Sequence, residues 1–384
     1  EWVTANGTTL GADNGIGASA ILAVLEDKTI KHGPIEALFT ATEETGMDGA
    51  FALRPGELKG DILINLDSET EGELYVGCAG GIDLTATMKY DTVKLEKEDF
   101  AGYRLEIKGL KGGHSGMEII LQRANANKLF ARFMRSFQEK LGIMLCDIDG
   151  GGLRNAIPRE AFATVAVMKK NEKAFLSAVR KFEKIYIDEY KGIEDSISFK
   201  AVPVKTPAKA INFFDQANLV DAVFGCPNGV MRMSMSMPGL VQTSSNLARV
   251  VSERGYFKIM CLLRSSVNTE KEDLALMIRT VFELTGATVK LSGSYDGWNP
   301  DMDSPILKAM KAGYKKLFGK EASVMAIHAG LECGIIGGKY PEMDMISCGP
   351  TIKYPHSPDE KVNIASVEKF WKFLCHTLET IPVK

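Results

Sequence analysis

The stretch "TLGADNGIG", Thr9 to Gly17, decides how this chain is read. One carboxylate, Asp13, sits among Gly11, Gly15 and Gly17, just ahead of "SAILAVLE" (Ser19–Glu26), which predicts a helix. Two readings fit. Asp-Asn-Gly is a common turn, and a carboxylate in a flexible loop at a helix entrance can also serve a metal. The surrounding sequence must choose. Ile35–Thr40 and Asp61–Leu66 are short apolar runs that predict buried strands, with a short helix between them at Asp48–Leu53. Such runs fit a mostly parallel sheet covered on both faces. Ligands in those folds sit beyond the carboxyl ends of the strands. Glu43 and Glu44 follow the first run and Asp67 follows the second.

The texture changes near Gly81. Strands lengthen and alternate, as in Phe100–Lys108, and amphipathic helices are predicted near Ala124–Lys140 and Glu172–Tyr190. A second round follows, with strands near Ser196–Val204, Val230–Met237 and Tyr256–Leu263 and helices near Phe213–Val223 and Lys271–Leu284. A β-α-β-β-α-β rhythm used twice predicts two ferredoxin-like units. "LRNAIPREAFATVAV" (Leu153–Val167) is weakly echoed by "SSNLARVVSERGYFKIMCLL" (Ser244–Leu263), as a duplication requires. After "SGSYDGWNP" (Ser292–Pro300) the first texture returns: helix Ser304–Phe318, strands Ser323–Ile327 and Met343–Ser347, helix Ser366–Leu378. The expected fold class is therefore α/β. A discontinuous catalytic domain, residues 1–81 and 295–384, carries an inserted α+β lid, residues 82–294.

Composition narrows the function. The 384 residues carry a formal net charge of -3, with 25% charged and 45% hydrophobic side chains, as a globular enzyme does. No basic surplus points to nucleic acid or anionic lipid. No apolar run reaches the roughly 18 residues of a membrane-spanning helix, and the N-terminus lacks the pattern of a signal peptide. Seven dispersed cysteines without a CxxC pair read as reduced thiols in a cytoplasmic protein. Cys333 falls near the candidate site, and the simpler reading is that it is a core thiol.

Asp13, Glu43, Glu44, Asp67 and His356 then form one constellation. Carboxylates with an imidazole suit zinc and other divalent metals. Crowded carboxylates raise one another's pKa, a cost that a cation removes. Two metals need a bridging carboxylate, and Asp13 is placed to be one. Of the adjacent Glu43 and Glu44, one can bind metal while the other acts as general base. Taken singly, a Glu-Glu pair is also an ordinary solvated loop or helix start, and His356 in "YPHSPDE" an ordinary loop residue. No Gly-x-Ser-x-Gly elbow is present to suggest a serine hydrolase.

"TTLGADNGIG", "LFTATEETGMDGA", "LINLDSE", "LKGGHSG", "RANANKL", "IHAGLECG" and "SCGPTIKYPHSPDE" carry a family resemblance across nearly the whole chain. The sequence resembles the dinuclear zinc metallopeptidases that include carboxypeptidase G, peptidase T and acetylornithine deacetylase. More narrowly, it resembles the aminoacyl-histidine dipeptidases (Xaa-His dipeptidase, bacterial carnosinase). The resemblance implies that Asp13 bridges two zinc ions, with Co2+ or Mn2+ as substitutes. Glu44 and His356 would complete one site and Asp67 the other, with Glu43 as base acting on a bridging water. It implies that His114 in "GGHSG" contacts the scissile carbonyl oxygen, that Asn155 binds substrate, and that Arg264 grips a substrate carboxylate. His328 and Glu332 would lie at the metal rim and read the substrate's side chain or amino group. From the residues alone, His114 is also a plain turn histidine and Arg264 a strand-end charge.

The implied substrate is a dipeptide, Xaa-His such as β-alanyl-histidine, taken up by a monomer or homodimer with no nucleic-acid or membrane partner. The family's His-x-Asp motif stands ahead of the bridging Asp, and no His-x-Asp occurs here. By resemblance the chain therefore looks like one lacking its N-terminal strand and helix. His32 and His376 read as structural. Two alternatives stand beside the dipeptidase: another peptidase or deacylase of the same family, and a catalytically impaired metal- or peptide-binding protein.

Overall fold

The computed structural model describes residues 1–381. The chain divides into two compact units. The first comprises Glu1–Gly80, Met235–Leu240 and Asp296–Lys384, and the second Gly81–Ser234 and Val241–Tyr295.

The first unit is built on a four-stranded sheet in the order Ser323–Ile327, Glu73–Cys78, Asp344–Ser347, Ile62–Asn65. The two outer pairs are parallel, but they meet antiparallel at Ser347 and Tyr75, so the sheet is mixed rather than mostly parallel. Leu74, Val76 and Ile346 are buried and pack with Ala20 and Val24 of the helix Ala12–Glu26. The same core takes Leu307 and Met310 of Pro305–Phe318, and Phe370 and Phe373 of Ile364–Thr380. These two helices start cleanly: the Ser304 and Asn363 side chains accept from the amides of Leu307 and Ser366, and Pro305 takes the first helical turn. Tyr314 stands edge-on to Phe373, 5.2 Å between ring centres.

One predicted strand is absent. Ile35–Thr40 has no regular secondary structure and joins no ladder, and Phe39 is 52% exposed. An apolar run marks only a segment that can be buried. A strand also requires a neighbour to pair with, which none of the described residues supplies. A further small antiparallel sheet, Trp2–Thr4, Lys361–Asn363, Ile352–Lys353, brings the segment after His356 against the beginning of the chain.

The second unit holds one antiparallel sheet of nine strands. Its main path runs Thr288–Tyr295, Gly80–Lys89, Tyr256–Ser265, Val241–Glu253, Ile143–Gly151, Ala161–Met168, Phe100–Lys108, Ser198–Val204. The strand Gly229–Met233 pairs alongside Val241–Glu253. Each half has the ferredoxin-like order, with its first strand between its fourth and third. The halves join edge to edge where Arg249–Val251 pairs with Asp149–Gly151. One half is inserted between the first strand and first helix of the other, so both predicted units are present but Ser198–Val204 closes the inner half instead of opening the second round, and Gly80–Lys89 is the outer half's first strand.

Helices Ala126–Leu141, Glu172–Glu189, Phe213–Gly225 and Asn268–Leu284 bury their apolar stripes in one core with this sheet. Phe133 is its aromatic hub, 0% exposed, with Phe199, Phe137, Phe182 and Phe175 at 4.9, 5.5, 5.6 and 6.3 Å. Truncating it leaves a cavity that the four surrounding rings cannot refill. Phe133→Ala should cost the second unit about 3–5 kcal/mol, read from its urea unfolding transition.

Candidate metal centre and hydrolytic site

Local backbone geometry explains why glycine surrounds Asp13. Gly11 adopts φ +75°, a left-handed conformation that other residues avoid, and turns the chain into the helix. Asp13 and Asn14 are not yet helical (ψ 105° and 44°), so the Asp13 side chain is carried on a bend rather than a helix face. The Asn14 side chain then caps the first amides, accepting from Gly17 N–H at 3.0 Å. At Gly17 a Cβ would lie 2.8 Å from the Leu66 carbonyl, so glycine permits the helix to approach the strand that leads to Asp67.

The loops carrying Glu43, Glu44 and His356 are strained in the same sense. Thr42, immediately before Glu43, has φ +58°, and His356 has φ +60°. For non-glycine residues such a conformation costs about 1–3 kcal/mol each and persists only where the surroundings hold it. The Thr42 hydroxyl donates to Asp48 Oδ2 at 2.8 Å and accepts from the Asp48 amide, which closes the Glu43–Thr45 turn.

These loops bring together side chains more than 300 residues apart. His356 Nε2 lies 2.9 Å from Asp13 Oδ2 and 3.0 Å from Glu44 Oε2. One ligand atom from each of the three falls within 4.8 Å of the others, a grouping that can hold a metal ion. One imidazole nitrogen with two carboxylate oxygens suits a borderline divalent cation. Asp67 adjoins Asp13 closely enough to hydrogen-bond with it.

Charge crowding marks the site. Burial, and then the charges of Glu44, Glu332 and Asp13, push Glu43 up to about 7. Asp67 is raised by burial and then by Asp13 and Glu43. Burial opposes a proton on His356, but the Asp13 hydrogen bond and the charges of Glu44 and Asp13 prevail and raise it. All three shifts reflect a local surplus of negative charge, which a bound cation would offset.

Glu332 opens the helix Glu332–Lys339. Its Oε2 accepts from Thr40 Oγ1 at 2.7 Å, while its Oε1 is buried without a hydrogen-bond partner. His328, 6% exposed, follows directly on the strand Ser323–Ile327. Cys333 is fully buried, and burial pushes its thiol far up, which makes it a core residue. His32 is exposed with Nδ1 near the Gly33 carbonyl, and His376 packs over Gly313.

The remaining predicted residues sit in the second unit and form a constellation of their own. His114 and Ala156 make an isolated β-bridge, and Ser115 N–H donates to the Asn155 carbonyl at 2.8 Å. His114 Nδ1 accepts from the amides of Gly116 and Met117 at 3.2 and 3.1 Å. Its proton in the neutral form is therefore on Nε2. Burial, then the Arg264 charge, lowers its pKa and keeps it neutral. Arg264 is 6% exposed; Nη1 donates to the Tyr295 hydroxyl at 3.1 Å, and its Nε has no partner.

Three further residues were not singled out from the sequence. Glu69, raised by burial and then by Asp13, belongs to the acidic cluster. Glu360 bonds the Asp13 loop. Asn246 donates to the carbonyls of Arg154 and Ala156 at 2.9 and 2.8 Å, on either side of Asn155. Glu69 and Glu360 lie within "LDSE" and "PHSPDE", and Asn246 is the asparagine of the internal echo. Those were the signals available.

Carboxylates and an imidazole at the strand ends of an α/β unit are the equipment of a metal-dependent hydrolase. The chain belongs to Peptidase family M20/M25/M40, whose profile matches residues 2–380, and is a hydrolase of peptide bonds. Divalent metals are the family's general cofactors. The chain is 45% identical over 384 residues to the cytosol non-specific dipeptidase of Escherichia coli (strain K12), spanning 100% of this chain and 79% of that protein. The crystal structure of aminoacylhistidine dipeptidase from Vibrio alginolyticus matches with a TM-score of 0.96 and 48% identity, over 100% of this chain and 78% of that one. Aminopeptidase PepT from Bacillus cereus shares the fold, with a TM-score of 0.57 at 16% identity over 99% and 76% of the two chains.

Metal removal should be visible as a loss of stability, because a cation relieves repulsion present only in the folded chain. Adding zinc chloride at about 100 times its Kd to chelator-stripped protein should add about 2.7 kcal/mol and raise Tm. Asp13→Asn and His356→Ala should each abolish most of that rise in a thermal scan.

Proposed function

We propose that this chain hydrolyses dipeptides, with Xaa-His such as β-alanyl-histidine among its substrates, using two zinc ions. The observation that carries the reading is the convergence of Asp13, Glu44 and His356 on one point with Asp67 beside Asp13. Asp13 would be the bridging ligand, since its carboxylate meets His356 and also interacts with Asp67. Glu44 and His356 would hold one zinc and Asp67 the other, with Co2+ or Mn2+ as substitutes. The relatives' names support the substrate class: one is a non-specific dipeptidase and one an aminoacylhistidine dipeptidase. Seven unpaired cysteines fit a cytoplasmic setting.

Zinc, when bound, polarises a carbonyl and acidifies water. The protein's own groups do the rest. With cations among these carboxylates the Glu43 pKa would fall from about 7, leaving Glu43 available as a carboxylate. It accepts a proton from the attacking water and returns it to the leaving nitrogen. The second unit would supply further groups to the reaction. His114 is held as the tautomer with Nε2–H, which donates to the oxygen as negative charge develops there. The unpartnered Nε of buried Arg264 suits a substrate carboxylate, which a guanidinium binds through two parallel bonds. Asn155, exposed and adjoining the His114 loop, contacts the substrate backbone. The unpartnered Oε1 of Glu332 suits the substrate's ammonium or imidazole, with His328 nearby in sequence.

Glu43→Gln should retain zinc yet lose on the order of 10²–10⁴ in rate on β-alanyl-histidine. Parent-level hydrolysis by that variant would exclude Glu43 as the base. Faster turnover of N-acyl amino acids than of any dipeptide in a panel would favour a deacylase instead.

A further inference from the structure

Glu360 is a charged side chain that the reaction outlined above does not use, and it is 1% exposed. Its carboxylate spans the Asp13 loop. Oε2 accepts from the Gly11 amide at 2.7 Å and Oε1 from the Asp13 amide at 3.1 Å. Among the described residues it has no lysine or arginine partner, so both lobes of the buried carboxylate are committed to backbone amides. Hydrogen bonds to an ionised acceptor are about twice as strong as neutral ones. The amides concerned are orphan donors at a helix start, where a negative charge is favoured.

The placement is more specific than a helix cap. The two amides belong to Gly11, whose φ is +75°, and to Asp13 itself, whose ψ of 105° departs from the helix. They fix the bend that aims the Asp13 carboxylate. Glu360 also lies four residues after His356, so a single segment supplies a ligand and the brace for the ligand opposite. That segment is itself anchored. The Glu360 carbonyl accepts from Thr4 Oγ1 at 2.9 Å, its amide donates to the Ser357 carbonyl at 3.1 Å, and Lys361–Asn363 pairs with Trp2–Thr4. The 2.9 Å approach of His356 to Asp13 is thus set by a carboxylate bridging two loops.

We infer that Glu360 is a positioning residue. It holds the Asp13 loop and the His356 segment in register, and thereby sets the affinity of the metal centre without touching the metal or the substrate. The inference rests on the proposed metal role of Asp13.

Zinc affinity by chelator competition, with thermal unfolding of the metal-free chain alongside, tests it. Glu360→Gln keeps the shape but turns an amide N–H₂ toward a backbone donor. Its zinc Kd should rise about 10–100-fold, the usual cost of losing an outer partner of a ligand. A role in folding alone would lower the metal-free Tm and leave Kd unchanged, and that result would overturn the inference. If the parent chain bound no zinc, the metal reading would fail and this inference with it. If Glu360→Gln does not fold, Gly11→Ala provides a second route. A Cβ there meets nothing within 4 Å, so the variant strains the φ +75° bend and leaves Glu360 in place. A comparable rise in Kd supports the positioning role, and parent affinity overturns it.

Discussion

Repulsion among carboxylates that the fold forces together is the constraint around which the first unit is organised. After burial, neighbouring acids push Glu43, Asp67 and Glu69 upward, Asp13 among the causes for all three, with His356 as the one basic group among them. Two unit charges 4 Å apart interact by about 4 kcal/mol near a protein surface. A few such pairs rival the roughly 5–15 kcal/mol that stabilises a whole protein. The chain must hold these groups against that force until a cation arrives. It does so with glycine at Gly11, with positive φ at Thr42 and His356, and with the Glu360 bond to two amides. Backbone strain and acidity have the same cause here, since both are the cost of a preformed binding site.

The second unit meets a different requirement with similar means. It keeps selected polar groups neutral or unpaired inside the protein. Burial and Arg264 keep His114 uncharged, two amides choose its tautomer, and Arg264 itself is held buried with an unfilled donor. A continuous nine-stranded sheet with one aromatic-rich core is a rigid base for such a loop. Asn246 shows how the duplication contributes. An asparagine from one half grips the carbonyls flanking Asn155, next to the other half.

Much of the candidate site was legible because metal ligation calls for particular side chains and particular side chains can be seen. Asp13, Glu43, Glu44, Asp67 and His356 stood out as acids and an imidazole beside predicted strand ends, and the structure gathers them in one unit. Most helices and strands were also legible, because amphipathic periodicity records which face will be buried. Phe100–Lys108 and Ser323–Ile327 have the predicted bounds. Ile35–Thr40 was misread because its apolar character says nothing about a pairing partner. Glu360 and Glu69 were overlooked because a carboxylate's neighbours decide whether it braces, repels or faces solvent.

The sequence by itself determined the donor types, the alternation of two textures and the membership of a peptidase family. Each of these is a property of residue identity and order. Tertiary structure alone decided that residues 13 and 356 meet, that the four-stranded sheet is mixed, and which His114 nitrogen carries the proton. Those outcomes depend on distances and on hydrogen-bond direction. Such quantities arise only when segments hundreds of residues apart are packed together.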